Sequence, residues 1–99
     1  MAHVNALDLL ILDPVWRPCH RVPLAGEWRT ILRRVLDHDG QWLALYQHRR
    51  TAAGPFPAPA DIALTRSVAR RLRALDMHLT DHMIRAGEKR FSFRAAGLL

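Results

Sequence analysis

Trp42-Leu43-Ala44-Leu45-Tyr46, a loop over residues 51–59, and then the spaced apolar residues Leu64, Val68, Leu72 and Leu75 form the stretch on which the fold turns. The unbroken apolar run after Asp39-Gly40 reads as a buried strand, with the glycine closing whatever helix precedes it. Gly54, Pro55, Pro57 and Pro59 follow, and residues that fix φ or remove a ladder donor belong to a loop rather than to either neighbour. Asp61 stands at the start of the next run, where apolar residues recur at helical spacing and Arg66, Arg70 and Arg73 share a different sector. Strand, long loop and amphipathic helix therefore come in that order.

Working outward, Leu7-Asp8-Leu9-Leu10-Ile11-Leu12 is an apolar run stopped by Asp13-Pro14, as a buried strand ending in a turn requires. Residues 20–25 return as a second strand that ends at Gly26, and Pro23 confines it to an edge or a bulge because proline cannot donate to a ladder. Trp28, Ile31, Leu32, Val35 and Leu36 make the i, i+3, i+4, i+7 stripe of a first helix, with Arg29 and Arg33 turned elsewhere. Downstream, residues 77–84 and 90–93 flank Gly87 and predict a β-hairpin. The resulting order of strand, strand, helix, strand, loop, helix, strand, strand predicts an α/β fold: a mixed β-sheet flanked by α-helices, with residues 1–99 as one domain.

Composition narrows the class. About half of the 99 residues are apolar, enough for a packed core and against disorder. No apolar run approaches the roughly 18 to 20 residues of a membrane span, and the first residues lack a basic, then apolar, export signal, so the expected location is cytoplasmic. Cys19 is the only cysteine, which excludes an internal disulfide and a cysteine-based zinc site. The net charge of +6, carried almost wholly by arginine with Lys89 as the single lysine, raises the question of an anionic partner.

Two segments carry a resemblance. Asp81-His82-Met83-Ile84, Gly87, Ser92-Phe93 and Gly97-Leu98-Leu99 resemble the closing signature of RadC-type proteins, and Ala60-Asp61-Ile62-Ala63-Leu64-Thr65-Arg66 falls in the same order upstream. The chain thus looks like a compact RadC-like member of the JAB/MPN fold, a cytidine-deaminase-like architecture. In that family a His-x-His pair, a serine and an aspartate opening a helix form the JAMM metal motif. The resemblance implies a zinc held by two imidazoles and a carboxylate, with a water in the fourth position, an upstream glutamate relaying the proton and the serine binding the oxyanion.

Carried onto this sequence with every interval kept, His48 takes the first histidine position, Arg50 the second, Ala58 the serine and Asp61 the aspartate, while the glutamate falls near Arg21. Arginine is permanently cationic and has no lone pair, so it cannot replace a histidine ligand. The expectation is a degenerate JAMM site with no intact metal set, no cofactor and no catalytic residues. Either Arg50 fills the metal's electrostatic position and pairs with Asp61, or Asp61 merely caps its helix and Arg50 points to solvent.

His78 and His82, four apart, would share one side of a strand, but neither has an acidic or cysteine partner at metal-site spacing, and a structural role for His82 with its ring bonded to backbone is expected. His3, His20 and His38 read as surface residues. Three functions are weighed on these grounds. The first is a catalytically inactive protein-interaction module, acting as a homodimer or with a protein partner, with Trp16, Phe56 and Leu98 as candidate contacts. The second is nucleic-acid binding through the helix faces bearing Arg29, Arg33, Arg66, Arg70 and Arg73. The third is a metal-dependent hydrolase with an altered JAMM site.

Overall fold

Asp13 turns the chain in the way the sequence suggests. Its carboxylate accepts the backbone N–H groups of Val15 at 3.0 Å and Arg17 at 2.8 Å, and Trp16 takes a φ of 67° to complete the reversal. The computed structural model describes residues 7–99. The elements are β1 (Leu7–Leu12), β2 (Pro18–Pro23), α1 (Trp28–Leu36), β3 (Trp42–Arg49), a 3-10 turn (Thr51–Ala53), α2 (Pro59–Arg73), β4 (His78–Ala86) and β5 (Lys89–Ser92).

The five strands form one mixed sheet in the order β2-β1-β3-β4-β5. β1 pairs antiparallel with β2 and β3, β3 pairs parallel with β4, and β4 pairs antiparallel with β5. The parallel step needs a crossover, and α2 supplies it. β2 lies at the edge, where its prolines leave no interior ladder bond unmade.

Strand alternation decides which side of the sheet is filled. Leu9 and Ile11 of β1, Val22 of β2, and Leu43 and Leu45 of β3 are buried in one cluster with Ile31 and Val35 of α1 and Val68 and Leu72 of α2. Both helices therefore cover the same face of the sheet. Gly40 is required between α1 and β3, since a Cβ there would run into the Ile11 side chain. Leu75, expected on the apolar face of α2, lies beyond the end of that helix and is exposed, because the chain turns at Asp76 (φ 59°) and Met77 takes the buried place instead. Among the described residues no helix is long and apolar enough to cross a membrane.

A bulge in β4 reverses one expectation. Leu43 is opposite Leu79 while Ala44 is opposite Asp81, so Thr80 is an extra residue in the ladder. The parity of β4 changes there, and His78 and His82 end up on opposite faces rather than one side. His78 is exposed and stacks on Trp42 with 5.1 Å between ring centroids, whereas His82 is fully buried under α2.

Candidate functional site

The site lies where β3 leaves the sheet and α2 begins. Because Leu43 and Leu45 face the helices, the same alternation turns Gln47 and Arg49 toward α2 and His48 away from it. Pro59 occupies the first turn of α2, where a missing N–H costs nothing, and Ala58 precedes it as the N-cap. Alanine has no side-chain oxygen to cap with. Asp61 does the reverse half of the job, its Oδ2 accepting the Ala58 N–H at 2.6 Å.

The same Oδ2 lies 2.5 Å from an Arg49 guanidinium nitrogen, and both side chains are largely buried at 12% and 15% exposure. The other partners of the guanidinium are the Gln47 side-chain oxygen at 3.3 Å and the Phe56 carbonyl at 3.0 Å. One planar cation thus joins the end of β3, the proline-rich loop and the first turn of α2, a task that suits the fixed fork of arginine. Burial pushes the Asp61 carboxyl up, but the Ala58 N–H and the Arg49 guanidinium outweigh it and hold its pKa below the ordinary value of 3.8.

Beneath this pair is a buried relay. The Thr65 hydroxyl donates to the Asp61 carbonyl at 2.8 Å and lies 2.6 Å from His82 Nδ1. With the hydroxyl proton given to Asp61, Nδ1 must carry the imidazole hydrogen, which leaves Nε2 as a bare acceptor. Nε2 is buried without a hydrogen-bond partner among the described residues, and the ring stacks on Phe93 with 4.5 Å between centroids. Burial pushes the His82 pKa down to about 4; Asp61 and Asp81 oppose that shift and Arg49 adds to it.

The structure corrects the assignment carried over from the sequence. Asp61 pairs with Arg49, not with Arg50. Arg50 is exposed at the start of the 3-10 turn and His48 is exposed on the far side of β3, so neither is at Asp61. Arg21 is not at the site either. It sits two strands away on the edge strand β2, opposite Leu10 rather than on the buried side with Val22, and it pairs with Asp8 at 3.3 Å. Ala58 and Asp61 lie at the start of α2, and Arg50 points to solvent as in the second of the two alternatives, while Asp61 bonds the Ala58 N–H from inside the first turn. Gln47, Arg49 and Thr65 were missed, although strand parity from Leu43 and Leu45 points to the first two. His82 is bonded to a threonine hydroxyl rather than to backbone.

These side chains do not fit a catalytic zinc. An amide and a guanidinium face the carboxylate, and among the described residues no three His, Cys, Asp or Glu side chains gather closely enough to hold a metal ion.

The closing segment is built differently. Asp81 Oδ1 accepts the N–H groups of His82 at 2.7 Å and Arg94 at 3.0 Å, and Oδ2 accepts the Ser92 hydroxyl at 2.7 Å. Ser92 Oγ in turn accepts the Ala95 N–H at 3.1 Å, and the Leu98 N–H reaches the Phe93 carbonyl at 2.8 Å. The aspartate, histidine, serine and phenylalanine noted in the sequence thus make one clamp, which ties β4 to the turn after β5.

A family model described as the RadC-like JAB domain matches residues 24–98. The chain belongs to that family. Its similar relatives include a UPF0758 protein of Rhodobacter capsulatus, 37% identical over 71 residues, which covers 72% of this chain and 33% of the relative. A UPF0758 protein of Thiobacillus denitrificans is also 37% identical, covering 72% of this chain and 31% of the relative. The UPF0758 protein YeeS of Escherichia coli is 31% identical over 71 residues, covering 72% of this chain and 47% of the relative. The chain spans about a third of the length of the first two relatives. In this RadC-like domain the clamp and the mixed sheet hold the frame, while the start of α2 carries an internal ion pair.

Proposed function

We propose that this RadC-like JAB domain does not act as a metallohydrolase and serves as a protein-interaction module. The observation that carries the reading is the Arg49 guanidinium seated on Asp61 at 2.5 Å. A carboxylate already neutralised by a permanent cation is a poor ligand for a divalent ion, and the cation itself repels one. Catalytic zinc calls for three protein ligands, and Gln47 and Arg49 supply no imidazole or carboxylate here. The same pair also has a structural use: it ties the loop to the N-terminus of α2 through protein groups.

The interaction half rests on exposed apolar groups. Trp16 is 40% exposed, Phe56 73% and Leu98 37%, and each is large enough to anchor a contact. Elemental analysis of the full chain, purified without metal-affinity resin or chelator, tests the reading. Well under one equivalent of zinc, with no gain on dialysis against zinc, is the expected result. One tightly held zinc per chain would overturn it.

A further inference from the structure

The charge of this chain is unevenly paired. On the sheet side, Arg17 bonds Asp13 at 3.2 Å and Arg21 bonds Asp8 at 3.3 Å. Arg85, Lys89, Arg90 and Arg94, on β4, β5 and the turn after them, are also exposed without an ion pair among the described residues, but the helical layer differs in setting its arginines in rows almost free of acid. α1 has no acidic residue and three arginines, and α2 has one acid, Asp61, which Arg49 already engages. Arg29 and Arg33 on α1 and Arg66, Arg70 and Arg73 on α2 are all exposed and form no ion pair among the described residues.

Their arrangement is a surface rather than a scatter. Arg29 and Arg33 are one turn apart, opposite the buried Ile31 and Val35. Arg66, Arg70 and Arg73 share one sector of α2 and rise over about 10 Å at 1.5 Å per residue. Since α1 and α2 lie side by side on one face of the sheet, both rows belong to the same outer layer. Glu27, Asp37, Asp39 and Asp76 lie at the helix ends and bracket this layer instead of pairing along it.

We propose that the outer face of the helical layer, formed by Arg29, Arg33, Arg66, Arg70 and Arg73, binds the phosphate backbone of a nucleic-acid duplex without sequence preference. The chemistry favours a polyphosphate over an acidic peptide, because a guanidinium fork matches phosphate oxygens and the rows present repeated single charges at near-regular spacing. It favours nucleic acid over a membrane surface, because an interfacial helix needs an apolar face to insert. Here the apolar stripes of both helices are largely packed into the core, and the exposed Leu36 and Leu75 that remain beside Arg29 and Arg33 are too few to make an inserting face. The one aromatic between the helices, Trp28, is covered by Arg71 at 5.4 Å and is not free to stack on bases, so contacts stop at the backbone.

Fluorescence anisotropy of a labelled 20-base-pair duplex with the full chain, over 20 to 300 mM KCl, tests this. Five phosphate contacts give a slope of log K against log salt of about −4.5, and Arg66→Gln/Arg70→Gln/Arg73→Gln lowers it to about −2 with weaker binding. Arg85→Gln/Arg94→Gln, an equal kind of change away from the helical layer, leaves the slope unaltered. Thermal melts by circular dichroism establish that both variants fold. No binding at 20 mM salt overturns the proposal, as does the same loss of slope in both variants. Binding to phosphatidylserine vesicles without binding to duplex overturns it in favour of a lipid surface.

Discussion

The clamp around Asp81 and the ion pair around Asp61 both build structure on a partly buried carboxylate, and they solve the problem differently. Asp81 accepts two backbone N–H groups and a serine hydroxyl, all from groups that need an acceptor in any case. Asp61 holds one backbone N–H and a guanidinium, and beneath it a histidine nitrogen has no partner among the described residues. The first arrangement is self-satisfied and works as a fastener. The second bears an unpaired acceptor and a cation, and a small change of residue there alters its chemistry.

The largest expected effect comes from changing that chemistry. Gln47→His with Arg49→His places two imidazoles on the side of β3 that faces Asp61, completing a three-ligand set. The double variant should take up one zinc and gain about 2.7 kcal/mol of stability at a hundredfold excess over its dissociation constant. Arg50→His, which would complete a His-x-His pair with His48, should take up none, because both positions face away from Asp61. Zinc titration followed by thermal shift at pH 7.5 reads both, and uptake by the Arg50→His variant alone would mean that His48, rather than Arg49, turns toward Asp61.

Next comes pH. His82 has a folded pKa of about 4 against an ordinary 6.5, so between those values the unfolded chain binds a proton that the folded chain refuses. Stability should therefore be full above pH 6.5 and fall as pH drops toward 4, by about 3 kcal/mol at about 1.4 kcal/mol per unit. Asp61, whose pKa is depressed, acts in a separate window: its contribution is present above the ordinary 3.8 and is lost as pH falls through its lower folded value. Urea unfolding from pH 7 to 4 measures the first window, and His82→Gln should flatten it. A wild-type profile that is already flat there would mean the ring is not held neutral.

The two carboxylate sites can then be compared directly. Arg49→Met leaves Asp61 largely buried without its cation, and a loss of about 3 kcal/mol is expected. Asp81→Ala frees three donors, two of them able to reach water, and should cost about 2 kcal/mol. Arg50→Met, at an exposed position with no partner at Asp61, should stay within about 0.5 kcal/mol of the parent. Chemical denaturation of the three variants orders them, and equal losses from Arg49→Met and Arg50→Met would dissolve the distinction between those neighbours.

Much of the frame is legible in the residues. The apolar stripe of α1, the proline-rich loop, the start of α2 and the terminal hairpin follow from periodicity and turn chemistry, which are local properties. The site was less legible, for a geometric reason. Counting intervals back from Asp61 reaches His48 and Arg50, but a loop of prolines and glycine does not fix how many residues separate a strand from a helix in space. The side chains that meet Asp61 are set by which face of β3 is buried, and Trp42-Leu43-Ala44-Leu45-Tyr46 is apolar on both faces. The same difficulty separates His78 from His82, since a bulge at Thr80 leaves no mark in the composition.

The sequence by itself determined the order of elements, the charge of the two helices and the absence of a histidine pair before Asp61, because these depend only on which residues stand where along the chain. Packing decided the rest. Burial of Leu43 and Leu45 against α1 and α2 turned Arg49 inward and His48 outward, and the extra residue in β4 brought His82 under Thr65. A side chain's direction in a strand changes with every residue, so only the contact that buries one face can say which of two neighbours reaches the site.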